Sequence, residues 1–207
     1  MNYICVCYIK DLPLYPKLNN MKKFELEIFN DESPESPREW DNITTMICFH
    51  KRYNVGDKTD YKSSDFDSWD ELKEQIESDN KVLMIKPLYM YDHSGITIST
   101  SSFNDRWDSG QIGWVFITEK QYNYICGKDV EYTDEKLECI INSEVHNYDQ
   151  YLTGEVYGYT IYEIETCSLG HEHRNVVESC GGYYDEGDCR DEGMNLLSIY
   201  EKEKEVV

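Results

Sequence analysis

The chain has 207 residues, 40% of them hydrophobic, and its 41 acidic and 20 basic residues give a formal net charge of -21. That length and apolar content suit one domain whose core needs no disulfide. The charge argues against direct binding to nucleic acid or to an anionic membrane, both of which would repel it. No run reaches the ~18 apolar residues of a membrane span. The opening MNYICVCYIKDLPLYPKLNN lacks a basic stretch followed by a long apolar one, so no secretory signal is expected.

Residues 1–20 read as an N-terminal extension or strand, 21–190 as the core domain and 191–207 as a charged C-terminal helix or tail. In MKKFELEIFND, Phe24, Leu26 and Ile28 alternate with Glu25 and Glu27, which predicts a half-buried strand. The loop DESPESPREWDN follows, its two prolines unfit for a ladder. ITTMICFHKRY reads as a strand, although Asp41 or Asn42 would equally cap a helix. Ser68 and Glu71 form a capping box that predicts a helix over 68–79. KVLMIKPLYMY and GITIST read as two strands joined by Asp92-His93-Ser94-Gly95, with Pro87 placing the first at an edge or bulge. SSFNDRWDSGQ reads as a polar loop before the strand IGWVFIT.

Thr118 and Gln121 cap a short helix that Gly127 ends. Thr133 opens the strongest helix, with Leu137, Ile140, Ile141, Val145, Tyr148 and Leu152 on one face and Gly154 as its stop. EVYGYTIYEIE and RNVVESCGGYY read as a hairpin turning over Ser168–Asn175. Without a regular βαβ alternation, the expected class is α+β: a mainly antiparallel sheet with two to four helices in a single domain.

The excess charge is uneven. Residues 129–207 hold 20 acids and 5 bases, a net of -15, and residues 1–128 hold the remaining -6. The 18 tyrosines and four tryptophans suit either a half-wet sheet surface or a recognition face. The eight cysteines (Cys5, Cys7, Cys48, Cys126, Cys139, Cys167, Cys180 and Cys189) are expected to be reduced thiols of a cytoplasmic protein, several of them buried.

Five segments join aromatics or glycines to carboxylates: PESPREWDN, RYNVGD, YDHSG, WDSGQIG and YDQYLTGEVYG. Turn chemistry explains any one of them, with Gly56, Gly95, Gly110 and Gly154 at turns or helix stops. Together, and in this order, they resemble a family of small hypothetical proteins of phages, prophages and other mobile elements, over about residues 24–184. The resemblance implies a mobile-element accessory protein in a host bacterial cytoplasm; it carries no catalytic residue.

As an enzyme, the chain would draw an acid–base or divalent-metal site from Asp41, Asp57, Asp92, His93 and Asp108 in these loops. No established metal, nucleophile or phosphate-loop spacing is present. Arg38, Arg52 and Arg106 lie beside the same carboxylates, and salt-bridged clamps are the plainer account of them. Cys167, His171, His173 and Cys180 are zinc-ligand types without a zinc-finger spacing, so a zinc-stapled module competes with an ordinary polar turn and no cofactor is expected.

The acids Asp134, Glu135, Glu138, Asp185, Glu186, Asp188, Asp191 and Glu192 are either a solvated face or a surface that imitates a nucleic-acid backbone. The leading expectation is a non-enzymatic protein, with a homodimer allowed. Through those acids it would bind and inhibit a host defence protein with a basic groove, of the anti-CRISPR or anti-restriction kind.

Overall fold

The computed structural model describes residues 23–167 and 169–203. The N-terminal segment 1–20, with Cys5 and Cys7, lies outside them. Among the described residues, seven strands and four α-helices form an α+β domain with two antiparallel sheets. The elements are β1 (Lys23–Asn30), β2 (Thr44–Cys48), α1 (Trp69–Asp79), β3 (Val82–Asp92), β4 (Ile96–Ser99), β5 (Ser109–Thr118), α2 (Glu119–Cys126), α3 (Asp134–Thr153), β6 (Tyr157–Thr166), β7 (Glu172–Tyr183) and α4 (Glu186–Glu203). The four-stranded sheet runs β2-β5-β3-β4 and the three-stranded sheet β1-β6-β7.

The helices begin where side chains satisfy free N–H groups. Ser68 Oγ accepts from Glu71 N–H at 3.2 Å, while Glu71 Oε2 reaches one residue further back than a capping box requires, to Asp67 N–H at 2.7 Å. Thr118 accepts from Gln121 N–H and Thr133 from Lys136 N–H. Gly154 ends α3 at φ 78°, a left-handed conformation that glycine adopts without strain.

The larger sheet is covered on both faces. Met46, Val115 and Ile117 pack with Leu137, Ile141, Val145 and Tyr148 of α3. Ile47, Trp114 and Phe116 pack on the other face with Leu72 and Ile76 of α1. Burying β5 on both faces explains its near-continuous apolar run. Ile112 joins the α3 side although it lies two residues from Trp114. Leu88 pairs with Gly113 and Tyr89 with Gln111, so Ile112 is the bulged residue that resets the alternation. Pro87 meets both conditions expected of it. It sits beside that irregularity, and β4 pairs only with Tyr89–Asp92, which leaves β3 an edge at Pro87.

In the smaller sheet, Leu26, Ile28, Tyr159 and Ile161 pack against α4 through Cys189, Leu196, Leu197 and Tyr200. The C-terminal segment is therefore an amphipathic core helix. It begins at Glu186, five residues before the expected start of the tail.

Three other boundaries differ from the sequence reading. WDSGQIG is mostly strand, since β5 opens at Ser109 and includes Gly110. YDQYLTGEVYG is the end of α3 and the start of β6, with only Gly154–Val156 between them. The β6–β7 turn closes by Glu172, which puts His173, Arg174 and Asn175 in the strand.

Candidate functional site

The sequence-predicted acid–base residues divide into separate places. Asp57 is held in a clamp on Arg38, whose side chain is 6% exposed. Arg38 Nε and Nη2 donate to Asp57 Oδ1 and Oδ2 at 2.8 and 2.7 Å, a bidentate pair. Arg38 also donates to Thr44 O at 2.9 Å and to Glu144 Oε2 at 3.4 Å. Burial works against its charge, but the carboxylates of Asp57 and Glu144 outweigh burial and hold the guanidinium above its usual range. Met46 N–H donates to Asp57, and Ile43 N–H, Thr44 N–H and the Thr44 hydroxyl donate to Glu144. Two of the five segments are thereby tied to α3 and β2. Asp149 does the same for YDQYLTGEVYG, accepting from Ile98 N–H and Thr97 Oγ1 of β4, both at 2.7 Å. Asp41 is exposed beyond the 3-10 turn Pro37–Glu39, and among the described residues no hydrogen bond or ion pair joins its side chain to the other four.

Asp92, His93 and Asp108 do meet. Asp92 accepts from Tyr53 Oη at 3.2 Å and pairs with Arg52. His93 Nδ1 lies 3.0 Å from Asp108 Oδ2, and Asp92 N–H donates to Asp108 O at 2.8 Å. Asp105 accepts from the N–H groups of Trp107 and Asp108, both at 2.8 Å. Those two bonds hold its carboxyl below the usual range. They also fix a loop from which Trp107 projects, 94% exposed. Arg52, Asp92, Trp107 and Asp108 line a cavity of about 260 Å³. Arg38 and Arg52 are thus clamps, as the plainer account has it; Arg106 has no ion pair among the described residues.

His50 joins this cavity to a second one of about 590 Å³. Phe49, Tyr53, Phe66 and Trp69 line it, with Val55 and Leu72 buried beneath. Phe49 and Trp69 stack at 6.1 Å, and His50 lies parallel to Tyr53 at 5.1 Å. Cys48 also lines it, and burial and then Asp57 push its thiol up to about 12, which disfavours the reactive thiolate.

The zinc-type residues do not assemble as a group of four. Cys167 and His173 interact at the β6–β7 turn, but Cys180 stands seven residues further along β7, about 23 Å at the rise of a strand. Among the described residues no three metal-ligating side chains are grouped to hold an ion. The His173 side chain, then the N–H groups of Leu169 and His171, hold the Cys167 thiol below its ordinary range. At neutral pH Cys167 is therefore expected to react with iodoacetamide several-fold faster than the exposed Cys139, with His173→Ala removing the difference; mass spectrometry of timed samples checks both.

All eight predicted partner-binding acids are exposed. They form two clusters rather than one patch. Asp134, Glu135 and Glu138 stand near the N-terminus of α3, and Asp185, Glu186, Asp188, Asp191 and Glu192 near that of α4; Asp134, Glu135, Glu186 and Asp188, in the first turns, complement the helix dipoles. Gln150 Nε2 donates to Tyr184 O at 2.5 Å, which puts the second cluster beside the far end of α3, about 20 Å from the first. Glu138 pairs with Lys86 and Glu186 with Arg190; the other six have no ion pair among the described residues.

Sequence reasoning counts Glu144 among the surface acids of α3, whereas it lies half-buried in the Arg38 clamp, and it missed Asp105. Glu144 had a signal, a carboxylate flanking the apolar stripe of α3 between Ile141 and Val145. Asp105 had one in its spacing from Trp107 and Asp108, which suits a side chain capping its own loop. The aromatic cavity had none, because its walls come from segments about 15 residues apart whose approach depends on the packing of α1. No family model, curated protein or solved structure matches the chain.

Proposed function

We propose that this protein is a non-enzymatic accessory protein of a phage or mobile element. It binds a host defence protein that acts on nucleic acid and blocks that protein's basic groove with its own acidic surface. The exposure of the eight acids at the N-terminal ends of α3 and α4, six of them without an ion pair among the described residues, is the observation that carries this reading. Their field attracts a basic groove and repels the nucleic acid that would fill it. Two clusters about 20 Å apart would engage two positions along such a groove at once. The resemblance of the five segments to mobile-element proteins supplies the setting, and a host cytoplasm is where such a partner would be met.

The test is inhibition of purified restriction and CRISPR effectors in a DNA-cleavage assay. Combining Asp188→Asn, Asp191→Asn and Glu192→Gln, while Asp185 keeps its bond to Asp188 N–H, should weaken inhibition roughly tenfold and flatten its dependence on salt. Inhibition that ignores both salt and these substitutions would refute the acidic-surface reading.

A second reading rests on the His93–Asp108 contact of 3.0 Å beside the smaller cavity: an acid–base centre with His93 as the proton carrier. It requires turnover of some ester or phosphodiester probe that His93→Gln abolishes. If no turnover occurs with or without added divalent metal, that reading fails.

A further inference from the structure

The cavity of about 590 Å³ uses none of the eight acids, so it is independent of the acidic-face reading. Its size is that of a ligand site rather than a packing defect. Phe49, Phe66 and Trp69 are half-buried and leave part of their surface open. Aromatic walls alone would suit any apolar group, but the surrounding charge narrows the choice. Residues 60–79, which include the Phe66 and Trp69 wall, hold eight acids and two bases. Their net of -6 equals the whole excess of residues 1–128. Ring faces carry negative potential, so this wall favours a cation twice over, through its carboxylates and through its rings.

The chain already places its own cations on neighbouring rings. Arg52 lies over Tyr53 at 5.4 Å and Lys73 over Trp114 at 5.6 Å. Arg52 occupies Tyr53, while no cation of the described residues lies over Phe49, Phe66 or Trp69. The polar groups of the cavity are divided. Asp67, on the acidic wall, accepts; Lys51 and Asn54, in the segment that also supplies Phe49 and Tyr53, offer N–H donors. A planar cation attached to carbonyl groups satisfies both, whereas an anion would meet Lys51 but face the acidic wall.

We propose that this cleft binds an arginine side chain presented by a polypeptide partner. The guanidinium stacks on the aromatic wall and pairs with Asp67, and the carbonyls of the partner's main chain accept from Lys51 and Asn54. Arginine fits better than lysine because its flat, delocalised head both stacks and forks onto a carboxylate.

The probe is a blocked Gly-Arg-Gly peptide, with its citrulline counterpart and free L-arginine as controls, titrated into the full chain. The readouts are calorimetry and the indole N–H resonance of Trp69. The arginine peptide should move that resonance saturably, and the uncharged citrulline peptide should not. Asp67→Asn should weaken binding about fivefold and Phe66→Leu about threefold. Asp67 N–H keeps its bond to Glu71 in the first variant, so the cap of α1 survives. Neutralising Asp188, Asp191 and Glu192 should leave the preference for arginine over citrulline unchanged. The proposal is overturned if citrulline binds equally, if neither cleft variant matters, or if the Trp69 resonance stays fixed at millimolar peptide. Tighter binding of free arginine than of the peptide overturns the assignment to a polypeptide.

Discussion

Arg38→Met should lower the melting temperature by about 10 °C, the largest loss expected from any single charge in the protein. Arg38 is the shared counter-ion of two carboxylates from distant parts of the chain, Asp57 and Glu144. Removing it leaves both half-buried with only N–H and hydroxyl donors, and stranding a buried charge costs roughly 3–5 kcal/mol. The side chain is replaced by one of similar length, so lost volume contributes little. A companion variant distinguishes charge from packing: adding Asp57→Asn and Glu144→Gln to Arg38→Met should recover part of the loss, because no uncompensated charge remains. A single variant melting within about 2 °C of the parent would reduce the clamp to an ordinary surface pair. The effect should reach the aromatic cleft. Asp57 closes the segment that supplies Tyr53 and Asn54 to its wall, so a loosened clamp should also weaken the arginine peptide.

The clamp shows what local sequence can and cannot carry. Helix ends were legible because their signals are local: Ser68, Thr118 and Thr133 each satisfy an N–H within three residues, and Gly127 and Gly154 follow the last turns. The strands β1 and β6 were legible from alternation, and β3 from its apolar run before the Asp92-His93-Ser94-Gly95 turn. The partnership of Arg38 with Glu144 was not, since 106 residues separate them and only the packing of α3 on β2 brings them together. The start of α4 was hidden for another reason. Its buried stripe begins with Cys189 and Gly193, small residues that do not mark an apolar face as Leu196, Leu197 and Tyr200 do. Gly193 is small by requirement: a Cβ there would stand 2.7 Å from Leu26 Cδ1. The five segments were recognised as unusual, but their carboxylates proved to serve different ends. Asp57 and Asp149 tie segments to the core, and only Asp92, His93 and Asp108 gather beside a cavity.

Gly113→Ala should prevent folding or cost more than about 3 kcal/mol, whereas Gly110→Ala, three residues away, should stay within about 1 kcal/mol of the parent. Both glycines belong to WDSGQIG and both lie in β5, so propensity does not separate them. Space does. A Cβ on Gly110 meets nothing within 4 Å, while one on Gly113 would stand 1.9 Å from Ile47 O and 2.9 Å from Cys48 Cα. Those are main-chain atoms of β2, so no rotamer change relieves the clash and the β2–β5 ladder has to open where Gly113 pairs with Cys48. The ladder lies between the cores on the two faces of the sheet, and opening it disturbs both. Far-ultraviolet circular dichroism and urea unfolding of the two variants side by side give the answer, and equal stability would refute the close-approach account. If the asymmetry holds, the second glycine of the motif is required by the contact between two strands rather than by a ligand. Recognition by this part of the chain then rests on what the strand supports at its open end, Trp107 and Asp108 beside the smaller cavity.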